Sequence, residues 1–216
     1  MFLDLNPQKA LIFRIIHRDN VPWILDHGLH CRNSANVDPD YVQIGDSDLI
    51  NKRGTRTVKC RPGGTLSDYV PFYFTPLSPM FYNLKTGWRG IRQRSNDEIL
   101  IFFSSLPSLH KLHAMGLPFL FTDRHAYLEA AQTFSDLARL DQIDWGILQR
   151  RDFKRDPDDL GKVERYEAEA LVHKHMPVAA LLGIVCYSDS VASGVHPHVE
   201  QRGLAVPVTV NPTWYF

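Results

Sequence analysis

Apolar residues along this chain fall into short dense runs separated by polar stretches, a pattern of buried strands rather than of long helices. Ala10 to Ile16 is nearly all apolar and predicts a strand. Asp19 or Asn20 then caps a short helix over Val21 to Leu25 that Gly28 ends. Tyr69 to Phe74 is a compact aromatic run read as a further strand, and Pro76 and Pro79 forbid a long helix directly after it. Glu98 to Phe103 and Leu117 to Phe121 predict strands, as do Ala179 to Tyr187 and Leu204 to Val210 near the end. Helical spacing occurs in Ser105 to Met115, through Leu106, Leu109 and Leu112, and in Ala126 to Leu140, through Tyr127, Ala131, Phe134 and Leu137. Between His30 and Thr65 the chain turns polar and irregular, too long for an ordinary connector, which predicts a functional or mobile loop. With no internal repeat, low-complexity tract or linker, residues 1–216 read as a single α+β domain.

Composition narrows the class. At 44% hydrophobic and 22% charged residues the chain is an average globular protein, which excludes disordered, collagen-like and coiled-coil classes. No apolar run approaches the roughly 18 residues that span a bilayer, and the first residues lack a basic segment followed by an apolar one, so secretion and membrane insertion are disfavoured. Twenty-four Lys and Arg balance 24 Asp and Glu, so any nucleic-acid partner must be argued from distribution rather than total charge. Cys31, Cys60 and Cys186 are odd in number and widely spaced, which suits reduced thiols and a cytoplasmic location.

The richest basic cluster, Lys52, Arg53, Arg56, Lys59 and Arg61, lies in the polar loop beside Pro62, Gly63 and Gly64. It reads either as a solvated loop or as a phosphate site, because the planar arginine fork suits phosphate and glycines let the main chain approach. Arg89, Arg92 and Arg94, and Arg150, Arg151, Lys154 and Arg155, are interrupted groups that read as surface. The aromatics Tyr69, Phe72, Tyr73, Phe74, Phe81 and Tyr82 fit a sheet packed on a core, and alternation sets Tyr73 opposite Phe72 and Phe74, where its polar tip can face a cleft. Ten histidines include the close pairs His110 and His113, His173 and His175, and His196 and His198, but none has Cys or carboxylate ligands at a zinc spacing, so no metal is expected. The stretch Arg165 to His173 has two readings. Its helix propensity is high, whereas a strand would set Glu167, Glu169 and Leu171 on one face, opposite Tyr166, Ala168, Ala170 and Val172. A serine hydrolase has no Gly-x-Ser-x-Gly elbow to support it.

Several separated segments together resemble the DarT family, the DNA ADP-ribosyltransferase toxins of DarT–DarG toxin–antitoxin systems. They are Ile15-Ile16-His17-Arg18-Asp19-Asn20, Lys52-Arg53, Pro62-Gly63-Gly64 through Asp68-Tyr69-Val70-Pro71-Phe72-Tyr73-Phe74, Ser78-Pro79-Met80, Phe121-Thr122-Asp123-Arg124-His125, and Ala168-Glu169-Ala170-Leu171-Val172. Each is weak alone, but their order is specific, and the resemblance spans nearly the whole chain. It implies an ADP-ribosyltransferase-like fold with two packed, mainly antiparallel sheets, flanking helices and a cleft for NAD. It favours the strand reading of Glu169.

The resemblance further implies that Glu169 and Arg53 are catalytic, and that His17 and Asn20, with Arg53 and Tyr73, lie at NAD. Tyr73, Met80, His125 and Arg155 are expected at the DNA, Arg155 from the hydrophilic loop before the catalytic strand. The thymidine-modifying branch is the nearest in likeness. The expected activity is transfer of ADP-ribose from NAD to a thymidine base in single-stranded DNA with release of nicotinamide, a pentosyl transfer without metal. Other readings are a transferase of the same fold acting on guanine, RNA or protein, and a non-enzymic nucleic-acid-binding module. The chemistry gives the residue types reasons: a carboxylate steadies positive charge developing on ribose and can take the proton of the attacking base nitrogen, whereas Arg53 stays protonated and orients. Single-stranded substrate is expected because a duplex hides the reacting edge of thymine. Two departures are Thr57-Val58-Lys59-Cys60, which matches nothing in the pattern, and Glu167, a rival acid two residues before Glu169. The family's partner is DarG, an antitoxin whose macrodomain removes ADP-ribose, and a monomer is the default expectation.

Overall fold

The structure, a computed structural model, describes residues 4–112 and 117–216. In chain order the elements are β1 (Leu11–His17), α1 (Val21–His27), β2 (Leu29–His30), α2 (Ser47–Arg53), β3 (Tyr69–Tyr73), α3 (Pro79–Thr86), β4 (Ile99–Ser105), α4 (Leu106–Leu112), β5 (Phe119–Thr122), β6 (Thr133–Phe134), α5 (Trp145–Arg150), α6 (Lys162–Tyr166), β7 (Glu169–His173), β8 (His175–Met176), β9 (Gly183–Cys186), α7 (Asp189–Glu200) and β10 (Val208–Val210). Ten strands thus alternate irregularly with short helices, the mixed pattern expected of an α+β chain.

Eight strands form one sheet in the order β10-β9-β4-β1-β3-β7-β5-β6, and β2 pairs with β8 in a separate ribbon. Among the described residues only β9 and β10 run parallel. The most apolar strands carry the longest register: β1 pairs with β4 from Leu11↔Ser105 to His17↔Ile99, and β3 with β7 from Tyr69↔His173 to Tyr73↔Glu169. Between them the ladder nearly fails, because β1 and β3 share a single residue pair, Phe13↔Tyr73. The sheet is therefore two four-stranded halves meeting at a seam. Across it Arg14 Nη1 donates to the Pro71 carbonyl at 2.8 Å.

Alternation decides what each face of β3 and β7 does. Phe72, Phe74, Ala170 and Val172 point into the large core with Phe13, Ile16, Phe102 and Phe121. Tyr69 and Leu171 point the other way, into a smaller cluster with Val58, Leu66, Leu120 and Ala126. Val58 belongs to the unmatched Thr57–Cys60 segment, which folds back as the bridge Thr57↔Thr65 over this second face. Glu169 stands at the end of the same face, where the sheet splits.

Three sequence expectations need correction. Ala126 to Leu140 is not a helix: Phe134 is spent on a strand pair with Phe121, their rings 5.4 Å apart, and residues Leu137–Gln142 form a 3-10 turn capped by Asp136. The apolar spacing there serves a sheet edge and a turn. The polar stretch from His30 to Thr65 is not wholly irregular, since it contains α2, whose N-cap Asp46 accepts from the Asp48 and Leu49 N–H groups. Asp48 in its first turn and Lys52 and Arg53 in its last suit the helix dipole. Glu167 is not on the strand with Glu169 but closes α6 as its C-cap. The helix expected through Met115 is seen as α4 to Leu112, and residues 113–116, with His113 of the histidine pair, lie outside the described residues.

Candidate active site

Glu169 opens β7 and is only 2% exposed. Its own N–H donates to Thr122 Oγ at 3.2 Å on the neighbouring strand, which fixes the start of the strand and aims the carboxylate along the seam. Arg53, the last residue of α2, brings Nη1 to 2.9 Å from Oε2 and 3.2 Å from Oε1. The Ala126 N–H donates to Oε1 at 3.0 Å, and His125 Nδ1 lies 3.5 Å from the same oxygen. Burial alone would raise the pKa of this acid. The Arg53 charge, His125 and the Ala126 N–H outweigh it, so Glu169 is held below the ordinary carboxylate range and is ionised at neutral pH.

Two neighbours complete the cluster. Tyr73 lies directly across the ladder from Glu169 and shares its face. Burial, and then the Glu169 charge, push its phenol well above the usual range, so it is a neutral O–H donor. His125 is held in place by the Tyr127 N–H, which lies 3.1 Å from its Nδ1.

A second group forms at the end of β1. His17 is 3% exposed, and its Nδ1 accepts from the Asp19 N–H at 3.3 Å, leaving Nε2–H as donor. That donor lies 3.7 Å from Glu98 Oε1, too far for a hydrogen bond, and is buried without a partner. Burial lowers the His17 pKa, so the ring is neutral. Glu98 is drawn down to about 2 by the Ser95 N–H and then by Arg94, whose Nη1 it accepts at 2.8 Å. Asn20, fully buried, donates to the Val42 carbonyl at 3.0 Å and accepts from the Val42 N–H at 2.8 Å, tying the polar loop to β1. That loop borders a cavity of about 420 Å³, bounded by residues 43–48, 90–92 and 94, with Arg92 and Arg94 on its wall. Met80 lies beside it, its Cε 3.4 Å from where a Cβ on Gly45 would stand.

Arg53, Tyr73, His125 and Glu169 thus meet in one cluster, and His17, Asn20 and Met80 gather round the loop that leads into α2. Arg155 is exposed on the loop before α6 and makes no hydrogen bond or ion pair with any of them among the described residues. Nearby cations are already engaged: Lys162 with Asp152 and Asp156, Arg165 with Asp144 and Asp159. Sequence reasoning missed Thr122 Oγ, the Ala126 N–H and the Arg94–Glu98 pair. A backbone donor has no sequence signal, but Ser95-Asn96-Asp97-Glu98 carries the Ser-x-x-Glu capping pattern that turns Glu98 inward. Among the described residues no group of three or more His, Cys, Asp or Glu side chains is placed to hold a metal ion. No helix among them is long and apolar enough to cross a membrane.

A mainly antiparallel sheet split into two halves, with a buried ionised glutamate at the split and unpartnered donors above it, is an ADP-ribosyltransferase-like fold. The DarT of Thermus sp. 2.9 in complex with ADP-ribosylated ssDNA superposes with a TM-score of 0.88 at 34% identity, covering 99% of both chains. The same protein in complex with NAD+ gives 0.83. A DNA ADP-ribosyl transferase of Escherichia coli O127:H6 is 52% identical over 99% of this chain and 96% of its own length. A DNA ADP-ribosyl transferase–DNA ADP-ribosyl glycohydrolase fusion protein of Thermosipho africanus is 24% identical over 97% of this chain, which covers 50% of it. The family model described as ssDNA thymidine ADP-ribosyltransferase, DarT, matches residues 13–216, and the chain belongs to the DarT family.

Proposed function

We propose that this enzyme moves ADP-ribose from NAD to a thymidine base of single-stranded DNA through Glu169, as member of a toxin–antitoxin pair. It is an NAD-dependent DNA ADP-ribosyltransferase. The observation that carries the site assignment is the buried Glu169 carboxylate, held ionised by Arg53 and the Ala126 N–H at the seam of the sheet. The residues fit a dinucleotide. His17 Nε2 and Arg53 Nη2 are buried donors without partners, and Arg92 and Arg94 line a cavity large enough for such a ligand. NAD, when bound, supplies an ADP-ribosyl group whose ribose C1′ becomes electron-poor as nicotinamide leaves.

Glu169 then does two things. Its negative charge, desolvated and prepaid in position, stabilises the positive charge on the sugar. As the bond from the thymine ring nitrogen N3 to C1′ forms and the bond to nicotinamide breaks, the N3 proton passes to the Glu169 carboxylate. Arg53 remains protonated throughout, keeps Glu169 ionised through Nη1, and has Nη2 free to hold the base or a phosphate. Tyr73 stays a neutral phenol on the same face as the carboxylate, its hydroxyl offered to the substrate as a hydrogen-bond donor. His17 and Asn20 position NAD, the first through its neutral Nε2–H. Met80 and His125 border the base, and Arg155 contacts the DNA strand further out.

DNA and NAD are its substrates. The Thermosipho africanus fusion of a transferase with a glycohydrolase supports a DarG-type macrodomain partner for this chain as well. One chain supplies every residue named, and we read it as a monomer working in the cytoplasm. The test is the full chain with NAD and defined single-stranded oligonucleotides: thymine-containing strands gain the mass of ADP-ribose, and Glu169→Gln abolishes this. Turnover kept in Glu169→Gln but lost in Glu167→Gln would overturn the assignment, and modification of guanine-only strands would overturn the base.

A further inference from the structure

A second opening adjoins the Arg53–Glu169 pair. It has a volume of about 380 Å³ and is lined by Thr55, Arg56, Tyr127, Leu128 and Glu129. Its walls continue the two segments that grip Glu169, one running on from Arg53 and the other from Ala126. No wall residue is more than three positions from one of these, so each lies within about 10 Å at roughly 3.5 Å per residue. The larger cavity meets α2 at Asp46 to Asp48, whereas this cleft lies just beyond Arg53 at its other end. The helix between these two places is seven residues, about 10 Å, long, and Arg53, the partner of Glu169, stands at its cleft end.

The cleft is built rather than incidental. Arg56 Nη2 donates to the Leu128 carbonyl at 2.8 Å and locks one wall to the other. Tyr127 packs its ring on the smaller core cluster, and its hydroxyl makes no hydrogen bond among the described residues. Glu129 is exposed and makes neither hydrogen bond nor ion pair among them. An aromatic face, a fixed cation and an uncommitted carboxylate thus stand together one step from the reacting centre. These are the three groups a single-stranded nucleotide uses: a plane for the base, a charge for the phosphate and a partner for the base edge.

We propose that this cleft seats the nucleotide next to the modified thymidine and that Glu129 determines which base is accepted there, an inference that rests on the DNA-modifying reading above. Tyr127 stacks on the base, and Arg56 faces the phosphate. An ionised carboxylate only accepts hydrogen bonds. It receives the exocyclic amine of cytosine, adenine or guanine, whereas thymine offers it only an N3–H flanked by two repelling carbonyls, so a base with an amine is favoured over thymine. Gln at this position both donates and accepts, which makes thymine equally acceptable.

The test uses the full chain, NAD and a pool of single-stranded oligonucleotides with one fixed thymidine between randomised positions, sequenced after partial modification. Wild type is expected to favour amine-bearing bases over thymine about fivefold or more at one adjacent position. Glu129→Gln reduces that ratio below about twofold, a comparison made within each protein so that any general loss of activity cancels. Tyr127→Leu lowers modification of all sequences, and Tyr127→Phe restores it. An unchanged profile in Glu129→Gln, or a wild type that accepts thymine equally on both sides, overturns the inference while leaving the DNA reading intact. A wild type that modifies no thymidine-bearing strand overturns both.

Discussion

Arg53→Ala tests the electrostatics of the site through stability, independently of turnover. The variant removes the Nη1 contacts at 2.9 and 3.2 Å and leaves the Ala126 N–H as the main support of a carboxylate that is 2% exposed. Breaking a buried pair by deleting one partner costs about 3–5 kcal/mol. In a chain of this size each kcal/mol moves Tm by about 2–4 °C, so a fall of about 10 °C is expected at pH 8. The pH dependence carries the argument. In the wild type the Glu169 pKa is depressed, so its contribution is fully present above the unfolded carboxylate value of 4.5 and is lost as pH falls through the lower folded value. Without Arg53, burial loses its largest opponent, and the folded pKa is expected to rise above the unfolded one. The penalty of a buried charge then fades as pH falls through that raised value. The Tm gap between the two proteins should therefore narrow steadily from pH 8 towards pH 4.5, measured by thermal unfolding at fixed ionic strength. A gap that is constant across this range, or below about 1 kcal/mol at pH 8, would refute the claim that Arg53 keeps an otherwise unfavourable charge ionised.

Other outcomes follow from the same geometry. Tyr73→Phe, which removes only the hydroxyl of the residue paired across the ladder with Glu169, should lower kcat/KM for strand modification about tenfold if that hydroxyl binds a charged group of the substrate. His17→Ala should raise KM for NAD about tenfold with kcat nearly unchanged if His17 only binds, which steady-state kinetics separates. Gly64→Ala should destabilise the fold by about 2 kcal/mol in denaturant titration, because Gly64 has φ +82° and its new Cβ would meet Asp68 Oδ2 at 2.7 Å. Asp68 cannot swing clear, being held by Lys174, Asn33 and Thr65. Affinity for a short single strand should fall linearly on a log–log plot against salt, and a flat plot would remove the phosphate contacts from the account.

The strands were largely legible because dense apolar runs leave few alternatives: Leu11–His17, Tyr69–Tyr73, Ile99–Ser105 and Phe119–Thr122 all lie where hydrophobicity put them. Ala126 to Leu140 misled because Phe134 sits at helical spacing from Tyr127 and Ala131, while the pairing that claims it is with Phe121 on the preceding strand, outside the helical pattern. α2 was overlooked for the opposite reason. Its burial is slight, with no fully buried residue, so it shows no apolar stripe, although the Asp46 cap and the charge order from Asp48 to Arg53 are plain in retrospect. Glu169 was undecidable by period alone, since Ala-Glu-Ala suits a helix and the strand is imposed by β3 and β5 on either side. Its pairing with Arg53 spans 116 positions of sequence, and only the likeness to a family brought the two together beforehand.

The single rung between Phe13 and Tyr73 sets how this molecule tolerates change. Each half of the sheet keeps its own long main-chain ladder, and the two are joined by that rung, by the Arg14 hydrogen bond to Pro71 and by the core their residues share. Replacing Arg14 removes one link across the seam and touches no main-chain bond of either ladder. The register of each ladder is in this way set apart from the seam on which Glu169 stands, so that a change confined to the seam reaches the acid without first unpicking either ladder.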